Sequence, residues 1–132
     1  MRNNVTYDKA YKFAIRVVKA YKYLVEEKSE FVLSKQLLKS GTSIGTGRTS
    51  FWGFLKRQPL ANVSEANGAI SKADFSAKIS IAYKECLETK YWLSLLKDTG
   101  YIDIKSFDSI YQDADEISKI LFSILKKTRI DR

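Results

Sequence analysis

Residues 71–99 read SKADFSAKISIAYKECLETKYWLSLLKDT and are followed at once by Gly100. Phe75, Ile79, Ala82, Cys86, Thr89, Leu93 and Leu96 recur at alternating steps of four and three, which lines one face of a helix. Ser71 is a good N-cap with Asp74 three residues on, and Gly100 is placed to stop the helix in the left-handed conformation. A helix of this length spans roughly 40 Å at 1.5 Å per residue, the length of a bundle helix. Such a stretch builds a scaffold, and the rest of the chain is read around it.

The chain has 132 residues, 45% of them hydrophobic and 29% charged, which suits one globular domain over 1–132 with its own core. One Pro and six Gly leave room for long helices. Three further helices are expected. The first covers 7–27, with Ala10, Phe13, Ala14, Val17, Tyr21, Leu24 and Val25 on its apolar stripe. The second starts near Phe31, keeps Leu33, Leu37 and Ile44 at core spacing, and is narrowed by Ser40, Gly41, Thr42, Ser43 and Gly45. A glycine in a helix costs about 1 kcal/mol against Ala, so Gly41 and Gly45 point to a close neighbour. The last runs from about Ile104 to Thr128, with Ile104, Phe107, Ile110, Ala114, Ile117, Leu121 and Ile124 inward. Its acids lie in the N-terminal half and its cations at the end, which suits the helix dipole. Short links between four helices imply an all-α, antiparallel up-down-up-down four-helix bundle.

Residues 46–60, TGRTSFWGFLKRQPL, break the pattern with two Gly, the only Pro and a mixture of aromatic and basic groups. Without them Val63 would follow Ile44 by four residues and the stripe would resume, so they read as an insertion in the second helix. Phe51, Trp52, Phe54 and Leu55 can pack on the bundle or a neighbouring subunit, or stack on bases beside Arg48, Lys56 and Arg57.

Net charge is +8, and it is uneven. Residues 1–60 hold twelve Lys and Arg against four acids, a surplus of eight; residues 61–132 hold eleven of each. The surplus points to an anionic partner, RNA or DNA first and an acidic protein second. Lys9, Lys12, Arg16 and Lys19 form a cationic line on the first helix, with only Asp8 near enough to offset their repulsion. Phosphate contacts would account for that line, and so would salt bridges to a neighbouring subunit. Lys35, Lys39, Arg48, Lys56 and Arg57 extend the candidate nucleic-acid-binding set.

The chain offers little chemistry. It has no His, the commonest general base and metal ligand, so no enzymatic activity, cofactor or metal is expected. Asp113 and Glu116 sit three apart, a spacing read as a solvated face rather than a metal site. The single Cys86 lies on the core stripe and reads as a buried space-filler. No phosphate loop precedes a Gly-Lys-Ser/Thr ending. With no signal-like or membrane-spanning apolar run, a cytoplasmic setting and no membrane partner are expected. Ile81, Trp92 and Leu95 on the central helix lie off the core stripe, as do Tyr111, Phe122 and Leu125 on the last. Spare stripes of this kind imply self-association, so Ile81, Trp92 and Leu95 are the candidate oligomer interface.

QLLKSGTSIG (36–45) followed by ANVSEANGAISKADFSAKISIAYKECLETKYWLSLL (61–96) resembles the bacterial four-helix-bundle family encoded by intervening sequences in large-subunit ribosomal RNA genes. Gln36, Ser43, Ile44, Asn62, Glu65, Ser71, Phe75, Glu85 and Trp92 carry the match. The family pattern runs without interruption where this chain carries 46–60. The resemblance implies an antiparallel bundle assembled as a homopentamer, with RNA binding inferred from where such genes lie. It also implies kinship with the accessory protein of diversity-generating retroelements, a basic pentamer that binds a reverse transcriptase and nucleic acid. A scaffold for such an acidic partner, with no direct nucleic-acid role, is therefore the alternative function. No catalytic residues carry over. Asn62 and Glu65 read as buried polar groups that fix helix register.

Overall fold

The structure is a computed structural model that describes residues 4–45 and 72–130. Four helices make up the described part: α1 (Asn4–Lys28), α2 (Leu33–Ser43), α3 (Lys72–Asp98) and α4 (Ile104–Ile130). Each lies beside the next, and α4 returns to α1, so the four enclose one core in a four-helix bundle. Paired contacts give the directions. Lys9 meets Glu116 while Arg16 meets Ser109, and Ser76 meets Thr128 while Lys97 meets Phe107. Both α1 and α3 therefore run opposite to α4.

The stripe at steps of three and four is the core stripe. Ile79, Ala82, Cys86, Thr89, Leu93 and Leu96 are all buried, against Ala10, Phe13, Val17 and Leu24 of α1 and Ile110, Ala114, Ile117 and Leu121 of α4. Each large side chain among them contributes about 1.5–3 kcal/mol by leaving water. Thr89 is the one polar member on α3. Its hydroxyl donates to the Glu85 carbonyl at 2.7 Å and lies 3.0 Å from Ser40 Oγ on α2, so nothing polar there is orphaned. At Gly41 α2 comes close to α1: a Cβ there would stand 2.7 Å from Val17 Cγ2.

The helix ends are closed by specific groups. Gly100, at φ +87°, ends α3; its amide donates to the Lys97 carbonyl and that of Tyr101 to Leu96, the paired bonds of a Schellman motif. Asp103 caps α4 by accepting the Ser106 amide at 2.7 Å. The segment expected as a charged turn does more. Glu30 is buried, and its carboxylate accepts the amides of Val32, Leu33 and Ser34 while Ser34 Oγ donates to its carbonyl. That closure makes α2 begin at Leu33 rather than at Phe31, which is left exposed. The first helix begins at Asn4, three residues earlier than expected.

Leu125, expected on the spare stripe, is buried in the core, and Tyr111 and Trp92 pack against it. The expected insertion 46–60 lies outside the described residues, and so do Ser71, Asn62, Glu65 and the apolar group Phe51, Trp52, Phe54 and Leu55.

Candidate nucleic-acid interface

The cationic line of α1 divides in two. Lys9 Nζ lies 3.0 Å from Glu116, and Arg16 reaches Asp113 at 2.7 Å together with the carbonyl and hydroxyl of Ser109. The two carboxylates expected on a solvated face are therefore partners of α1, and the repulsion read along that helix is offset from α4. Lys12 and Lys19 are different. Both are exposed, and neither makes an ion pair with a described residue. Seven residues apart, they stand about 10 Å from each other along the helix.

Lys35 and Lys39 on α2 are also exposed, but they do not extend that line. Lys39 faces Glu85 on α3, half-buried between the two helices. Burial pushes the Glu85 carboxyl up to about 7; the neighbouring Glu88 adds to the shift, and Lys39 opposes it. Arg48, Lys56 and Arg57 lie outside the described residues.

A groove of about 640 Å³ continues the α1 line towards the start of α4. Arg16 and Lys19 form its rim on one side, Lys105 and Asp103 on the other, and Tyr23 stands at its edge with 44% of its surface exposed. Leu24, Leu37, Leu93 and Leu96 lie buried beneath it, so its accessible apolar surface comes from Ala20, Tyr23 and Ile102. Lys105 and Tyr23 escaped the sequence reading. Tyr23 follows Lys19 by four and Arg16 by seven, a spacing that sets it on their face, whereas nothing local ties Lys105 to α1.

On α3, Ile81 is exposed and Trp92 and Leu95 are half-buried. The Trp92 indole donates to Glu88 at 3.3 Å and meets the Tyr91 ring edge-on at 5.0 Å. Phe122 of α4 is exposed beside Tyr83, with ring centroids 5.9 Å apart. These apolar groups form patches on more than one face. The Cys86 thiol is buried, donates to the Ala114 carbonyl at 3.1 Å, and is pushed up to about 12 by burial, so it is no nucleophile at neutral pH. Among the described residues no three of His, Cys, Asp and Glu gather into a metal site, and no helix is long and apolar enough to cross a membrane.

Residues 60–123 match the model of the family described as 23S rRNA-intervening sequence protein. A crystal structure from Bacteroides thetaiotaomicron, described as a protein with unknown function from the S23 ribosomal protein family, is 48% identical. That match covers 96% of this chain and 99% of the other, with a TM-score of 0.80. Among curated proteins there is no match.

Proposed function

Because the chain belongs to the 23S rRNA-intervening sequence protein family, we propose that it is a non-enzymatic, cytoplasmic, homo-oligomeric protein that binds RNA through the outer face of α1. The observation that carries this reading is the pair Lys12 and Lys19, exposed and without an ion-pair partner among the described residues, on a chain of net charge +8. Phosphates are the anions that such a pair serves, and repetition around an assembly turns weak contacts into avid ones. Ile81, Trp92 and Leu95 supply part of the subunit contact; five subunits follow from the family resemblance. The half-buried indole of Trp92 is the kind of group that anchors such contacts.

The test is RNA affinity against salt for the protein and for a Lys12→Glu, Lys19→Glu double variant. Loss of two phosphate contacts lowers the slope of log affinity against log salt by about 1.4–1.8 and weakens binding at every salt concentration. Affinity that ignores both salt and charge reversal refutes the reading. Sedimentation as a monomer at micromolar concentration removes the oligomer from it. Capture of an acidic protein, with a yield that nuclease treatment does not change, would replace RNA with the scaffold function.

A further inference from the structure

The groove between α1 and α4 combines two kinds of surface that a simple ligand would not use together. Small side chains line it from both helices, Ala20 on α1 and Ser106 and Ser109 on α4. Its apolar surface comes from Ala20, Tyr23 and Ile102. Its mouth carries two cations with no ion pair among the described residues, Lys19 and Lys105, beside Asp103 and the paired Arg16. A purely apolar ligand would leave Lys19 and Lys105 without a counter-charge. A bare phosphate would leave the Tyr23 ring and its apolar neighbours Ala20 and Ile102 uncovered.

An unpaired nucleotide fits both, since its base is flat with apolar faces and polar edges and its phosphates are anionic. We propose that this groove receives one unpaired base of the bound RNA, stacked on the Tyr23 ring, with the flanking phosphates on Lys19 and Lys105. Asp103 is held at the mouth by accepting the Ser106 amide through Oδ1. Arg16 is held to Asp113 and Ser109 and forms a fixed wall. Tyr23, almost half exposed, has no role in the core and is the surface on which a base can stack. The RNA recognised is therefore single-stranded or bulged, because a continuous duplex keeps its bases in the stack.

This inference rests on the RNA-binding reading, and one experiment separates the two. Fluorescence anisotropy is measured with a short labelled single strand and with the duplex of the same sequence, in about 0.1 M salt. The protein binds the single strand about tenfold tighter than the duplex. Tyr23→Ala loses at least about fivefold on the single strand and changes duplex affinity by less than about twofold, which also shows that the variant is folded. Tyr23→Phe keeps the wild-type preference, and Ser106→Trp, which plugs the mouth, removes it. Equal affinity for the two RNAs, with Tyr23→Ala without effect, overturns the groove and leaves charge-driven RNA binding standing. If neither RNA binds, the RNA reading falls and this inference with it.

Discussion

Replacing Gly41 with Ala sets two effects of opposite sign against each other. On helix propensity alone, Ala at a helical position is better than Gly by about 1 kcal/mol. The structure reverses that sign. The new Cβ would lie 2.7 Å from Val17 Cγ2, 2.8 Å from Cγ1 and 3.2 Å from Cβ, where carbon atoms prefer about 3.5–4.0 Å. Val17 cannot turn away: a β-branched side chain in a helix has one strongly preferred rotamer, and both methyls face the glycine. Nor can it swing outward, since it is fully buried. Relief requires α1 and α2 to separate, which widens the seam further along, where Gly45 faces Ala10. With three close contacts the overpacking cost lies in the upper part of its range, roughly 2–3 kcal/mol. The propensity gain offsets about 1 kcal/mol of it, so the net loss is about 1–2 kcal/mol. At roughly 4 °C per kcal/mol for a chain of this size, Tm falls by about 4–8 °C. Urea unfolding followed by helical circular dichroism, with parent and variant at the same protein concentration, measures it. The double variant with Val17→Ala sharpens the test. Alone, Val17→Ala leaves a gap and costs about 2 kcal/mol; in the pair the methyl introduced at position 41 enters that gap, giving a favourable coupling of about 2 kcal/mol. A stabilised Gly41→Ala protein, or effects that simply add, would refute the close approach of α1 and α2.

Two further substitutions test the charged groups of the helix ends and seams. Glu85 has its carboxyl raised from 4.5 to about 7, so the folded protein holds that proton more tightly than the unfolded chain and stability falls as pH rises between those values. Glu85→Gln should therefore be more stable than the parent at pH 8, by about 1–2 kcal/mol after allowance for its partial exposure, with the difference gone near pH 4.5; an equal gain at both pH values excludes the cause given. Glu30 shifts the other way. Burial pushes its carboxyl up, but the amides of Leu33, Ser34 and Val32 outweigh burial and hold it below 4.5, so its contribution is present above that pH and lost on acidification through the lowered value. Glu30→Gln should cost about 1–2 kcal/mol at pH 7 and progressively less in acid, as measured by urea midpoints; a cost that does not change with pH would show that charge is not what the cap supplies.

The two long helices, α3 and α4, were legible because their signal is periodic and local. Ile104 is the exception: expected inward, it stands exposed at the first residue of α4. A core position every three or four residues needs no knowledge of the partner, and even Thr89 falls on the stripe as expected, since its hydroxyl can be satisfied within its own helix. What escaped were facts of register between helices. Lys9 and Arg16 read as mutually repelling because their partners, Glu116 and Asp113, are about a hundred residues away and become neighbours only once α1 lies antiparallel to α4. Leu125 read as surplus for a related reason: the width of the buried face of α4 depends on how deeply α3 embraces it. Glu30 was a local miss. A carboxylate three and four residues ahead of amides that start a helix is a recognisable cap, but it does not occupy the usual capping position, which Val32 holds without a side-chain bond.

Pairing across the α1–α4 seam also decides what an approaching polyanion meets. Exposed ion pairs of this kind stabilise a fold by only about 0–1 kcal/mol each, so Lys9–Glu116 and Arg16–Asp113 are not the reason the bundle holds together. Their larger effect is on the field. Left unpaired, Asp113 and Glu116 would set two negative charges within a Debye length of Lys12 and Lys19, about 8–10 Å at physiological salt, and would cancel much of what those lysines offer a phosphate. Paired, the four groups sum to zero and the face keeps the charge of Lys12 and Lys19. The seam then continues into the groove, where Lys105 adds a third cation and Asp103 is committed in part to capping α4. Two of the cations on α1 are thus used to silence the acids of α4, and that is what leaves the remaining two effective at attracting an anion.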